Sequence, residues 1–536
     1  MASRFWVTGG TGNWNSTTNW SATTGGASGA SVPGSSDTAT YDASSGAGTA
    51  TLDISPDIQT LTCTGFTGTL AFGTNTISLN STGTIFTGAT TMTVTGTPLI
   101  ICTNSSATLR TISPTAVTEA NSISFRITAG TGAVTTTGGA YRDLDFTDGV
   151  NPTGFAGIIS SNTITLYGNL KASTGMLVTA GTAVITFAAT SGTKTINTAA
   201  VVFDRPFTFN GVGGTFQLQA ALTSGSGRTC TLTNGTLDLN GYTLTTGIFS
   251  SSNSNTRILA FGTGKIVLTG NNTTVCSTST GTGLTVTGSK RIELSYSGGV
   301  GTRTISGATT ATTIEGTNLL DYFITAGTDI ILFNGSRSYG TIDFFNSGTS
   351  TFTTPGSFTN SAIDIFGNLT LNSTMVISSG ANNLDFKSTT GTKTITTAGQ
   401  TLDCGINFNG VGGAWAMQDA LTLGSTRTLT MTNGTLQLKS GATSTVGAFA
   451  TSGTNAKYLL STTFGTAATI SDASGTNTVN YLTVQDSIAT GGATWDALAI
   501  TNVDAGNNTG WLFSTTPSIG NEITMRLRSF TQPRRF

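Results

Sequence analysis

"TLTNGTLDLNGYTLTTG", Thr231–Gly247, places Asn234-Gly235, Asn240-Gly241 and Thr246-Gly247 six residues apart. Between them Leu237, Leu239, Tyr242 and Leu244 alternate with polar residues. A period of two interrupted by small turn-forming pairs reads as strand, corner, strand, corner. Asn-Gly also closes hairpins, but hairpins do not explain such brief strands continuing for hundreds of residues. A β-solenoid does: each coil lays short strands on the coil below, apolar side chains turn inward, and Asn or Gly takes the corners. The expected fold is therefore all-β, a β-solenoid in its right-handed parallel form. Tandem β-sandwich modules, such as jelly rolls, are the alternative. Gly and Thr are too dense for any helix of more than a few turns.

The stretch also has a copy. "TNGTLDL" at Thr233 returns as "TNGTLQL" at Thr432, "FNGVGG" at Phe209 returns at Phe408, and "GTKTINTA" at Gly192 returns as "GTKTITTA" at Gly391. "YGNL" at Tyr167 becomes "FGNL" at Phe366, "YRDLDF" at Tyr141 becomes "YGTIDF" at Tyr339, and "NTRIL" at Asn255 becomes "NAKYL" at Asn455. The offset stays near 198, which means one fold built twice. The expected organisation is a Trp-rich capping or attachment region at 1–106, modules at 107–300 and 301–480, and a terminal coil with a basic tail at 481–536.

"FNGVGG" lacks the Lys-Ser/Thr of a phosphate loop and no helix follows it, so it reads as a corner where glycines permit left-handed torsions.

Composition narrows the function. Charged residues are 9% and histidine is absent, whereas a usual chain has about 25% charged residues. Thr suits strands and Gly and Asn suit turns, so the outer rows should be hydroxyls and amides. The net charge of −1 gives no overall attraction to nucleic acid or to an anionic membrane, and no apolar run is long enough to span one. "MASRFWVTGG" lacks the apolar core of a cleaved signal. Synthesis in a cytosol, or export by another route, is expected. The five cysteines are far apart in sequence, which argues against a disulfide framework or a Cys-x-x-Cys metal site. Cys230 aligns with Leu429 and reads as apolar filler, while Cys404 aligns with Arg205, which leaves its burial open.

Without histidine, acid–base chemistry falls to carboxylates. Asp143, Asp145 and Asp148 cluster in "YRDLDFTD". Strand alternation turns Leu144 and Phe146 inward and puts Tyr141, Asp143 and Asp145 on one outer face. Two such acids can cleave a glycosidic bond. Asp343 stands opposite Asp145 in the second copy, but Thr341 stands opposite Asp143, which fits ladder residues better than a catalytic pair. Trp6, Trp14 and Trp20 read as an end cap, with a carbohydrate or protein contact as the alternative. Asp504, Asn507 and Asn508 in "VDAGNN" read as a structural turn; a Ca²⁺ loop would need the full twelve-residue pattern. No cofactor is implied. Arg526, Arg528, Arg534, Arg535 and Phe536 form a basic tail, read either as a solvated tail or as an arm docking on an acidic partner surface.

Two segments carry a resemblance. "WVTGGTGNWNSTTNWSATTGGASGASVPGSSDTATYD", Trp6–Asp42, holds Gly12-Asn13-Trp14, Asn19-Trp20-Ser21, Pro33-Gly34 and Asp37-Thr38-Ala39. It resembles the opening of repetitive β-helical surface proteins such as phage fibres, tailspikes and adhesins. "YLTVQDSIATGGATWDALAITNVDAGNNTGWLF", Tyr481–Phe513, resembles an end segment of β-solenoid proteins from phage virions and environmental bacteria. The resemblance implies a phage virion protein: a tail fibre or spike, or a capsid-attached fibre. Its localisation would be the virion exterior, its partners other virion proteins, its oligomer a homotrimer, and its target a host surface polysaccharide. A bacterial surface adhesin and a polysaccharide-degrading spike enzyme are the alternatives. The first reading is structural and not enzymatic.

Overall fold

The structure, a computed structural model, describes residues 2–7, 9–115, 118–271, 273–296, 301–344, 351–353, 363–377 and 383–515. These residues contain no α-helix. Their short strands pair in parallel from one coil to the next, making about 19 turns of β-solenoid. A β-sandwich would pair its strands antiparallel, so that alternative is set aside. The chain divides into two compact units, Met1–Gly270 with Gly283–Ser289, and Asn271–Thr282 with Lys290–Phe536.

In the first unit, Thr165, Thr186, Thr208, Thr231 and Ser250 stack in one outward row, with successive partners 19–23 residues apart. One position further on, Leu166, Phe187, Phe209 and Leu232 stack inward. Thr tolerates the half-exposed pleat because its branched Cβ suits extended backbone. The inward row is fully buried, each side chain contributing about 1.5–3 kcal/mol relative to exposure. The rings of Phe187 and Phe209 stack at 5.1 Å with 8° between planes. In the second unit, Phe386 and Phe408 repeat that pair at 5.1 Å and 16°, between Ile365 and Met431.

Leu237, Leu239 and Leu244 are buried as their alternation predicts, while Tyr242 is exposed. Asn234-Gly235 is not a break between strands. It is a bulge inside Thr229–Asp238, which passes from partner Ile248–Ser250 to partner Arg257–Ala260.

"FNGVGG" is the matching corner on the coil below. Asn210 pairs with Asn234 and Thr215 with Thr236, so the residues between form a bulge whose tip, Val212-Gly213, is exposed. Gly213 and Gly412 have φ of 85° and 84°, as a left-handed corner requires. The other glycines answer a different demand. A Cβ on Gly211 or Gly214 would collide with the Ala189 carbonyl, and one on Gly410 or Gly413 with the Ser388 carbonyl. Asn Nδ2 of Asn234 donates to Asn210 Oδ1 at 2.6 Å, and Asn433 donates to Asn409 at the same distance.

A buried cation holds the next corner in each unit. Arg257 donates to the carbonyls of Ser251 and Asn255, both at 2.7 Å. Lys457, its counterpart, donates to Gly453 and Asn455 at 3.1 and 2.7 Å. Burial lowers both pKa values, that of Arg257 to about 10.

At the N-terminal end the chain folds back on itself. Ser3–Trp6 pairs antiparallel with Trp20–Ser21 and parallel with Thr38–Thr40. Trp6, Trp14 and Trp20 are buried to 1% exposure or less. Trp14 and Trp20 meet edge to face at 4.9 Å, Trp6 and Trp20 at 5.2 Å, and Tyr41 lies 5.5 Å from Trp6. The first strand's otherwise open edge is thereby covered.

Candidate functional site

A groove of about 800 Å³ crosses an outer face of the first unit, lined among others by Arg126, Arg142, Asp143, Asp145, Asn169 and Lys171. Its charges are set by coil register. Asp145 lies between Arg126 on one neighbouring strand and Lys171 on the other. Its Oδ2 accepts from Arg126 Nε at 3.0 Å, and its Oδ1 accepts from Thr147 N and Oγ1 at 2.9 and 2.6 Å. A register shift lies beside Asp143: Ile123 pairs with Tyr141, but Phe125 pairs with Leu144. Asp143 Oδ2 accepts from Ser124 Oγ at 2.6 Å, and its Oδ1 accepts from Asn169 N and Nδ2 at 2.6 and 2.8 Å. Both carboxylates are thus held by neighbouring coils, as ladder residues are.

The same shift corrects the expectation for Tyr141. It is buried, not outward, because the extra residue moves the inward positions from every second to a spacing of three, Tyr141 to Leu144. Its hydroxyl donates to Thr137 O at 3.0 Å. Tyr339, the copy, donates to Asn334 O at 2.9 Å. Asp343 belongs to the second unit, between Phe323 and Thr370 in its row.

Two smaller clefts, one per unit, are built alike. In the first unit Glu119 Oε2 accepts from Thr190 N and Oγ1 at 3.2 and 2.7 Å. In the second, Glu315 accepts from Ser388 Oγ, Thr389 N and Thr389 Oγ1 at 2.6, 2.8 and 2.6 Å. Each glutamate clasps a turn more than 70 residues further along the chain. Beside Glu119 lies a cleft of about 380 Å³ with Arg142, Asp143, Tyr167, Asn169 and Lys194. Beside Glu315 lies one of about 280 Å³ with Lys290, Asp321, Phe366, Asn368 and Lys393. Asn169 Oδ1 accepts from Thr195 N at 2.7 Å, and Asn368 Oδ1 from Thr394 N at 2.8 Å. Burial raises the Glu315 carboxyl, but the Ser388 and Thr389 hydrogen bonds and the Lys393 charge outweigh it and hold the group below its ordinary value. Burial keeps Asp321 above its own, against the pull of Thr341 and of Lys290 and Lys393. The repeated motifs "YGNL"/"FGNL" and "GTKTI" carry Tyr167, Asn169 and Lys194 and their copies Phe366, Asn368 and Lys393, but the clasping glutamates lie in no repeated motif.

The other candidate residues fall elsewhere. Burial of Trp6, Trp14 and Trp20 removes the aromatic face that a carbohydrate platform or protein contact needs, which corrects that alternative. Asp504 Oδ1 accepts from Gly506 N and Asn508 Nδ2, at 3.0 and 2.6 Å. Asn507 Nδ2 donates to Asp486 Oδ1 at 2.6 Å, and Asn508 Oδ1 accepts from Ser487 N at 3.0 Å. The Asp504 bonds close the corner itself, and the Asn507 and Asn508 bonds tie it to the adjoining coil. Among the described residues no group of three His, Cys, Asp or Glu is placed to hold a metal. All five cysteines are buried and unpaired. Cys230 fills the inward row between Phe207 and Phe249, and Cys404 is 5% exposed. Arg526, Arg528, Arg534, Arg535 and Phe536 lie outside the described residues.

Compared with protein families, curated proteins and solved structures, the chain matches none.

Proposed function

We propose that the chain is a structural fibre or spike of a phage virion, exposed on the tail or capsid, acting in particle assembly and contact with the host surface. The observation that carries this reading is the parallel ladder of short coils, with hydroxyl rows outside and aromatic rows inside. Such a fold supplies rigid, repeated polar faces with few charges, which suits a mechanical part. The groove beside Asp143 and Asp145 is then a contact surface for a host polysaccharide. The hydrogen bonds that occupy both carboxylates favour contact over cleavage, since a general acid or nucleophile needs a free oxygen. Assembly as a homotrimer with other virion proteins, docked through the basic tail, belongs to the same proposal.

Antibody labelling of purified particles in the electron microscope tests it. Label on projecting fibres is expected, together with competition by the purified chain against particle adsorption. Unlabelled particles and unaffected adsorption defeat the reading. Release of reducing ends from host polysaccharide by the purified chain would instead favour the enzyme.

A further inference from the structure

We propose that the two clasped clefts are paired binding sites for a carboxylate-bearing sugar, one site in each unit. The argument rests on what the duplication kept and on which hydrogen-bond donors remain unspent. Lys194 and Lys393 occupy the same position of "GTKTI" and line equivalent clefts. Neither hydrogen-bonds to another described residue, and neither does Arg142. The acids beside them are differently placed. Glu119 is bound to Thr190, Asp143 to Ser124 and Asn169, Glu315 to Ser388 and Thr389, and Asp321 to Thr341 N at 2.6 Å. Each cleft therefore keeps an unspent cationic donor, Lys194 in one and Lys393 in the other. An ammonium with three unspent N–H groups is best satisfied by an anionic oxygen.

The ring beside each lysine restricts the class further. Tyr167 and Phe366 are half-buried at the cleft wall and offer an apolar face next to the charge. Inorganic phosphate or sulfate has nothing to lay on that face, whereas the C–H face of a pyranose does. The volumes suit a single sugar ring and not a long chain. Asn169 and Asn368 fix the floor by bonding to the strand that carries the lysine, and Glu119 and Glu315 close the side. The lysine is thus presented on a supported frame.

The inference deepens the surface-contact reading and rests on it only for where the sugar comes from. Binding is measured on the purified full chain with free sodium glucuronate, so it fails separately from particle attachment. Isothermal titration is expected to give saturable glucuronate binding at two sites per chain. Lys194→Gln and Lys393→Gln should each leave one site. The double variant should weaken binding about tenfold or more, and Lys→Arg at both positions should restore it. Absence of saturable binding to the unaltered chain overturns the proposal. Equal binding of glucose removes the charge from it, and equal binding of sodium sulfate removes the sugar; either result overturns it as well.

Discussion

Asp364 and Asp385 pair across adjacent coils of the second unit, and Lys387 lies 2.9 Å from the first and 3.9 Å from the second. Burial raises both carboxyls above their ordinary value, and the charge of Asp364 adds to the rise at Asp385. A carboxyl raised by folding favours the folded state below its unfolded pKa. That contribution is lost as pH climbs through the folded value. Asp385→Asn should therefore raise the melting temperature near neutral pH, by about 0.5 kcal/mol or more in stability. The gain should vanish on acidification below the ordinary carboxylate range. Melting curves of both proteins across that range provide the check, and a gain unchanged at low pH contradicts it.

The Glu315 clasp has the opposite sign. Its carboxyl is depressed in the folded chain, so its contribution is present above the ordinary value of 4.5 and is lost as pH falls through the folded pKa. Glu315→Gln should cost about 1 kcal/mol locally, a discounted figure because the group is partly exposed. Hydrogen exchange at the Thr389 amide should accelerate in the variant at neutral pH. The two proteins should converge in acid.

Gly413→Ala and Gly391→Ala separate two reasons for glycine. A Cβ at Gly413 strikes the fixed Ser388 carbonyl, while Gly391 has φ of 64° and open space around it. The first substitution should cost about 3 kcal/mol and the second about 1–2 kcal/mol. Urea unfolding of the two variants reads the difference, and a reversed order would discard the close-approach argument.

Trp20→Ala should open the N-terminal end. Loss of the buried indole costs about 3–5 kcal/mol, and the freed edge of Ser3–Trp6 becomes available to other chains. Faster exchange in the first coils and new self-association in light scattering are expected. A variant as stable and as monodisperse as the parent would refute the capping role.

The thiols supply a chemical control. Burial pushes Cys63, Cys102, Cys276 and Cys404 up to about 12, and Cys230 higher still. At about pH 8 the native chain should not react with a thiol-specific reagent, because the thiolate is the reactive form. All five cysteines should react after denaturation. Prompt native reaction of any one would mean its coil is open.

Much of the architecture is legible in the sequence because a solenoid writes its register locally. Leu237, Leu239 and Leu244 announce the inward side, and Phe209 with Phe408 announces the copy. Tyr141 was not legible. A single extra residue inverts the parity of everything before it, and composition gives no sign of where the bulge sits. The candidate clefts were half legible: Asn169, Lys194 and their copies lie in repeated motifs, yet nothing short-range gave them a role. Glu119 and Glu315 were invisible because their partners lie more than 70 residues away. The acid pair Asp364 and Asp385 was missed for a related reason, since the corresponding residues of the first module are Thr165 and Thr186.

The spacing of Thr165, Thr186, Thr208 and Thr231 has a consequence for how the chain is made. Each new coil needs only the coil before it as a template, so contacts between adjoining coils dominate and contact order is low relative to the length of a unit. The tryptophan cluster is synthesised before the coils that follow it and leaves them a growing edge. Ordered structure can thus advance in the direction of translation, coil upon coil, while later residues are still on the ribosome.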